Sequence, residues 1–258
     1  MEIGICCHPT DAAQLPANVI DFLEVNVQNF LVPEKGEADF RLNLELGRRA
    51  IKPIKSASCF LPGDLKCVGP NLDQERLMRY AQTAFSRAEQ VGVEIIVFGS
   101  GGARTMPENY SPKQAMEDFT ALLRQFGPMA QSHGVTLVVE PLNKAECNFI
   151  NSLAEGAEAV ERCNHPNVQL LADLYHMLKD GEPVSEIVRF GRLIKHTQVA
   201  ELAGRACPGK SHEDFSPFFE ALREANYTGR VALECLWENM AVELEPSMRY
   251  LRASSKAQ

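Results

Sequence analysis

Short apolar runs alternate with stretches of helical periodicity from one end of the chain to the other. Eight runs read as strands: Glu2–Cys7, Phe22–Val27, Pro53–Phe60, Glu94–Gly99, Thr136–Leu142, Val168–Asp173, Ile194–Ala200 and Arg230–Cys235. Most are rich in Val, Ile and Leu, the pattern of parallel strands covered on their outer face. Between them, Asn71–Gln90 carries Leu77, Tyr80, Ala81, Ala84 and Ala88 on one helical face. Ser111-Pro112-Lys113-Gln114 reads as a capping box with proline at the first helical position. The stripe Met116, Phe119, Leu123, Phe126 and Ala130 follows it, with Gly134 as the stop. Leu153–Arg162 and Pro217–Ala225 supply two more helices, while residues 28–51 are the least regular part and read as a long loop followed by a helix.

A βα rhythm over 258 residues, without linker or low-complexity segment, leaves a closed barrel or a doubly wound open sheet. The first βα turn, Cys6-Cys7-His8-Pro9-Thr10, has no dinucleotide glycine fingerprint. Eight strands and a length near the roughly 250 residues usual for the fold favour a single (β/α)₈ TIM barrel spanning residues 1–258.

Four of the strands close on a polar residue: Glu140, Asp173, Gln198 and Glu234, spaced 33, 25 and 36 residues apart like successive βα units. A carboxylate at the end of an apolar strand costs several kcal/mol unless it is paired or bound to a cation. Three such carboxylates and one amide are therefore the makings of a divalent-metal site on the open face of the barrel. The two-residue period puts Thr136, Val138 and Glu140 on one face, so Glu140 points into the mouth. Taken singly, each has a plainer reading: Glu140 paired with an arginine, Asp173 capping the next helix beside a surface His176, and the others in ordinary polar packing.

Other polar groups follow in the loops. Asn143 and Glu146 come after Glu140, His196 shares a face with Gln198, and Arg205 lies in Gly204-Arg205-Ala206-Cys207-Pro208-Gly209. Phe98-Gly99-Ser100-Gly101-Gly102-Ala103-Arg104 lacks the Lys-Ser/Thr ending of a P-loop and reads as either a ligand-admitting turn or a simple tight one.

A net charge of -8 argues against a nucleic-acid backbone as partner. Eight scattered cysteines without a CxxC pair, and an N-terminus without a signal pattern, point to a reduced cytoplasmic protein with buried free thiols. No apolar run has membrane-spanning length.

Glu140-Pro141-Leu142-Asn143 with Glu146, Asp173-Leu174-Tyr175-His176, His196-Thr197-Gln198 with Gly204-Arg205, and Glu234 together resemble the xylose isomerase-like TIM-barrel superfamily. The similarity is closest to its hydroxypyruvate isomerase and ketose 3-epimerase branches. The motifs cover residues 136–235; the βα rhythm extends the likeness weakly over the whole chain. The resemblance implies that Glu140, Asp173, Gln198 and Glu234 hold one divalent ion, Mn²⁺ or Mg²⁺. Many relatives carry histidine where Gln198 stands, which leaves His196 as an alternative ligand. Glu146, His176 and Arg205 match substrate-contacting positions. The implied chemistry is proton transfer beside the carbonyl of a keto sugar, with Glu140 and Glu234 removing and returning the proton through a metal-stabilised enediolate. A lyase working from the same enediolate is the alternative. An abasic-site endonuclease, which uses a histidine-rich multi-zinc cluster, fits an acidic chain with six histidines poorly, and three strand-end carboxylates count against a non-catalytic sugar-binding barrel. The expected partner is a small sugar, with no phosphate cradle evident, and a homo-oligomer is possible.

Overall fold

A computed structural model describes residues 1–256. Eight parallel strands close into one ring: β1 (Glu2–Cys6), β2 (Leu23–Asn26), β3 (Ile54–Ser58), β4 (Ile95–Phe98), β5 (Thr136–Val139), β6 (Val168–Asp173), β7 (Ile194–Val199) and β8 (Arg230–Leu233). Closure is made by β1 lying beside β8, with Ile3 opposite Val231 and Ile5 opposite Leu233. The barrel expected from the hydrophobic rhythm is present, and each run contains its strand. Most strands stop one or two residues sooner than the apolar runs, because the chain turns outward at the barrel rim, so Glu140 and Glu234 fall just past β5 and β8.

The connections carry helices α1 (Pro9–Ala12), α2 (Glu37–Arg48), α3 (Gln74–Val91), α4 (Gly101–Arg104), α5 (Pro112–Ser132), α6 (Leu153–Cys163), α7 (Leu174–Asp180), α8 (Ser185–Phe190), α9 (Ser216–Glu224) and α10 (Met240–Ser254). Their apolar stripes pack on the outward side chains of the strands. In α3 the buried face is Leu77, Tyr80, Ala81, Ala84, Phe85 and Ala88. Phe60 lies among Tyr80, Phe85, Phe98 and Phe126, with ring centroids 5.3–6.0 Å away. Aromatic clusters of this kind supply much of a core's burial.

Three local expectations are corrected. The capping box at Ser111 does not form: Ser111 occupies the N-cap but makes no side-chain cap bond, and Pro112 alone sets the entry. The preceding helix starts at Gln74 rather than Asn71, because the Asp73 carboxylate accepts from Arg76 N at 2.9 Å and fixes the first turn there. Residues 28–51 are more regular than expected. The N–H of Val32 reaches back five residues to Val27 O, giving one wide turn over Val27–Leu31 before α2. That widened turn projects Gln28 toward the mouth, where its amide donates to Cys59 O at 2.9 Å and Leu61 O at 3.2 Å. The thiols are all free, but only Cys67, Cys147, Cys163 and Cys207 are buried, and Cys59 is exposed. Among the described residues no helix is long and apolar enough to cross a membrane.

Candidate active site at the C-terminal mouth of the barrel

The strand period sends one set of side chains inward on every strand. Ile95, Val97, Val138 and Leu171 form a small apolar plug inside the barrel. Above it, on the side where β-strands end, the inward positions turn polar. Asp173 and Gln198 are register partners on β6 and β7, and Gln198 stands opposite Ala232 on β8. Glu140 N bonds to Phe98 O and Glu234 N to Val199 O, so both glutamates leave the sheet one step higher.

A cavity of about 280 Å³ opens over these residues, lined by Glu140, Glu146, His176, Arg205 and Glu234 and by Gln28, Cys59 and Ser100 on the far wall. Asp173 and Gln198 do not line it; they are buried on β6 and β7 at the same end of the barrel, at 2% and 0% exposure. All six titratable residues singled out from sequence, and the amide, are thus brought to one place. A larger cavity of about 640 Å³ sits at the opposite end of the barrel. There Arg230 bonds both Glu2 and Glu94, Glu94 also bonds Lys55, and Arg192 pairs with Glu161. Parallel barrels work at the other end.

Asp173 unites the two readings that the sequence left open. Its Oδ1 accepts from Tyr175 N at 2.8 Å and caps α7, while Oδ2 is buried without a hydrogen-bond partner. His176 is not on the surface; it is 4% exposed. Asn143 donates to its Nδ1 from both the main chain (3.2 Å) and the side chain (2.8 Å). With Nδ1 accepting, the ring proton is assigned to Nε2, which faces Glu140 Oε1 at 3.4 Å and Asp173 Oδ2 at 3.5 Å. Glu140 is therefore beside an imidazole rather than an arginine. Arg104, itself fully buried, grips the main chain instead, donating to Phe98 O at 3.1 Å and Glu140 O at 2.8 Å.

Arg205 stands over the cavity with Nη2 bonded to Glu234 Oε2, 3.8 Å from Asp173 Oδ2, and with Nη1 3.8 Å from Glu146 Oε1. Its guanidinium lies 4.7 Å above the Tyr175 ring. Gly204 and Arg205 are both in the left-handed region, at φ 66° and 49°, which aims the side chain back over the mouth. Burial and the neighbouring Glu140 push Glu234 well above the usual carboxylate range, against the pull of Arg205. Burial also raises Asp173, with His176 and Arg205 working against it and Glu140 with it. Such crowding is what a cation relieves.

Sequence reasoning passed over Glu24. This β2 residue is 1% exposed and sits beneath the four strand-end positions. Its Oε1 accepts from Gln198 Nε2 at 2.6 Å and from the Cys6 thiol at 3.0 Å, and its Oε2 pairs with His196 Nε2 at 2.6 Å. Burial opposes its charge, yet His196 outweighs that and holds Glu24 below its ordinary value. His196 is thereby occupied one layer below the mouth. In sequence Glu24 lies in the alternation Leu23-Glu24-Val25-Asn26, which looks like a half-exposed strand, so no local signal marked it.

The glycine turn is also explained. A Cβ on Gly99 would stand 2.1 Å from Glu140 Oε2, and one on Gly102 would stand 3.0 Å from Gly63 Cα. The glycines let the wall close around the carboxylate.

The residues fit a hard divalent cation. Glu140 and Asp173 bring carboxylate oxygens within 4.8 Å of one another, with the His176 Nε2–H facing both. Gln198 Oε1, like Asp173 Oδ2, is buried without a hydrogen-bond partner. Oxygen-rich sets of this kind suit Mg²⁺ or Mn²⁺.

Comparison with known proteins bears on the family and the fold. The profile of the xylose isomerase-like TIM barrel family matches residues 53–254. The 3-dehydro-D-guloside 4-epimerase of Escherichia coli (strain K12) is 28% identical over 220 residues, covering 79% of this chain and 84% of that protein. A putative hydroxypyruvate isomerase of Mus musculus is 33% identical over 113 residues, covering 42% of this chain and 40% of its own length. The crystal structure of D-allulose 3-epimerase from Methylomonas sp. in complex with D-allulose superposes with a TM-score of 0.84 at 18% identity, over 98% of this chain and 97% of that one. At that identity the superposition speaks for the fold.

Proposed function

This chain belongs to the xylose isomerase-like TIM-barrel family, and on that footing we propose that it is a divalent-metal-dependent epimerase or isomerase of an unphosphorylated keto sugar. The observation that carries the proposal is that Asp173 Oδ2 and Gln198 Oε1, on the adjacent strands β6 and β7, are buried without a hydrogen-bond partner at the same mouth whose cavity Glu140 and Glu234 line. Glu140, Asp173, Gln198 and Glu234 would hold the ion. When bound, it supplies positive charge beside the substrate oxygens on which negative charge develops.

The side chains themselves account for the rest. Glu140 and Glu234 enter the cavity from β5 and β8, so a sugar carbon between them has a carboxylate toward each face. One takes the proton from the carbon next to the carbonyl and the other returns one, which inverts the centre or moves the carbonyl. His176 directs Nε2–H into the site, held by Asn143. Arg205 and Glu146 are placed to hold sugar oxygens, and a guanidinium fork suits paired oxygens. Among the described residues, Arg205 is the one Lys or Arg side chain lining the cavity, and Glu234 already engages it. That leaves no cradle for a phosphate.

The test is metal content of the purified protein, with a panel of unphosphorylated keto sugars assayed before and after chelation. About one Mn²⁺ or Mg²⁺ per chain, activity lost on chelation and regained on re-addition, and a product of unchanged mass are expected. A product of lower mass would make the enzyme a lyase. Three zinc ions per chain would redirect attention to phosphodiester hydrolysis. Absence of metal binding at any tested concentration would end the proposal.

A further inference from the structure

We propose that Glu24, which does not reach the cavity, is the positioning residue that decides which end of the Gln198 side chain faces the cation site. The inference rests on the metal-site reading above and concerns how that site is kept loaded with the right atoms.

An amide ligand has a problem that a carboxylate or imidazole does not. Its two ends differ by one atom in shape but are opposite in polarity, the oxygen accepting and the NH₂ only donating. A Gln turned by 180° about its last torsion would present N–H groups to a cation. Something must therefore hold the amide one way round.

Glu24 is built to do so. An ionised carboxylate accepts hydrogen bonds and donates none, so only the NH₂ end of Gln198 can settle against it. That bond is short, 2.6 Å, between two side chains that are 0% and 1% exposed. The remaining amide atom, Oε1, is the one left buried and unpaired. Glu24 is itself prevented from turning. His196 Nε2–H occupies Oε2 at 2.6 Å, and the Cys6 thiol donates to Oε1 at 3.0 Å. A register shift between Leu23 and Glu24 lets Glu24 stand level with Cys6 on one side and Ser56 on the other. Bulges of this kind re-aim a side chain. His196 and Gln198 come from the same inward face of β7, so one carboxylate grips both. Partners of this type, a step removed from a metal, are commonly worth 10- to 100-fold in affinity.

The experiment is a titration of metal-free protein with Mn²⁺, read by electron paramagnetic resonance of the free ion, alongside thermal melting in chelator. Glu24→Gln removes the acceptor-only partner at nearly constant shape. It should weaken Mn²⁺ binding at least tenfold, and the metal-free melting temperature should fall as His196 loses its ionised partner while the chain still folds. The double variant Glu24→Gln/Gln198→Glu exchanges the two groups. The introduced amide can donate to the introduced carboxylate and still accept from His196, and both ends of that carboxylate are oxygen. Mn²⁺ affinity should return to within about threefold of wild type. Gln198→Glu alone, which sets two carboxylates against each other, should not be rescued in this way.

Wild-type protein that binds no Mn²⁺ overturns the metal-site reading and this inference together. Wild type that binds, with Glu24→Gln binding equally well, overturns only the role given to Glu24. A single variant that does not fold moves the decision to the exchanged pair. If that pair fails to fold or to bind, complementarity between the two positions is refuted.

Discussion

Gly99→Ala separates the fold from the proposed chemistry by adding one methyl group. The added Cβ would stand 2.1 Å from Glu140 Oε2, 3.0 Å from its carboxyl carbon and 3.3 Å from Leu142 Cδ2. Ordinary contact begins near 3.4 Å, so the carboxylate tip must retreat by about 1.3 Å. The backbone cannot yield in its place, because Arg104 fastens the carbonyls of Phe98 and Glu140 together. Gly99 is not in the left-handed region, so alanine fits its conformation. The cost to the fold is then an off-rotamer glutamate, about 0.5–1.5 kcal/mol. The loss of glycine's freedom in the unfolded chain returns about 0.4–1 kcal/mol. The melting temperature should therefore stay within about 3 °C of wild type. A catalytic or ligating carboxylate displaced by roughly 1 Å costs about 100-fold. Mn²⁺ titration and kcat/KM on the best substrate of the sugar panel should both show a loss of that order. Mn²⁺ affinity and kcat/KM within threefold of wild type would refute the reasoning, since Glu140 would then have no fixed place to lose. A fall in melting temperature beyond 10 °C would equally refute it, by showing that the strand ends and not the side chain give way.

Two further outcomes follow from the charges at the mouth. Glu234 has a folded-state value well above the usual carboxylate range, so its proton is bound more tightly in the folded chain. Its contribution to stability is complete below the ordinary carboxylate pKa and is lost as pH rises through the raised value. In chelator, Glu234→Gln should melt progressively higher than wild type as pH is raised from 5 to 8, and turnover should be abolished. A melting difference that is flat with pH would contradict the assignment. Arg205→Ala removes the cation beside Glu234 and Asp173, and should tighten Mn²⁺ binding by about tenfold while raising KM. Weaker Mn²⁺ binding would show instead that Arg205 orients the carboxylates for the ion.

How much of this was legible follows from where each residue lies. Glu140, Asp173 and Glu234 each close an apolar run, and a polar residue in that place is conspicuous in sequence; Gln198, in Lys195-His196-Thr197-Gln198-Val199, was legible only by its spacing from the other three. Glu24 is one residue inside its strand. The alternation Leu23-Glu24-Val25-Asn26 imitates a half-exposed strand, and nothing local says that its polar face looks into a barrel. The helical stripes were readable because burial on one side imposes a period of 3.6. The widened turn at Val27–Leu31 has no such period, and so the wall it makes with Gln28 was not visible. Arg104 reads in sequence as the charged end of a glycine loop; only closure of β4 against β5 gives it two carbonyls to hold.

The capping bond of Asp173 has a consequence for anyone who would rebuild this site. Glu140, Gln198 and Glu234 each owe their side chain to the mouth, and can be exchanged one at a time without touching how a helix begins. Asp173 cannot, because its other oxygen starts α7, and α7 carries Tyr175 and His176. A replacement that cannot cap would move the imidazole along with the ligand. Asparagine keeps an oxygen for Tyr175 N and removes only the charge. Of the four strand ends, the one on β6 is therefore the fixed point around which the others can be redesigned.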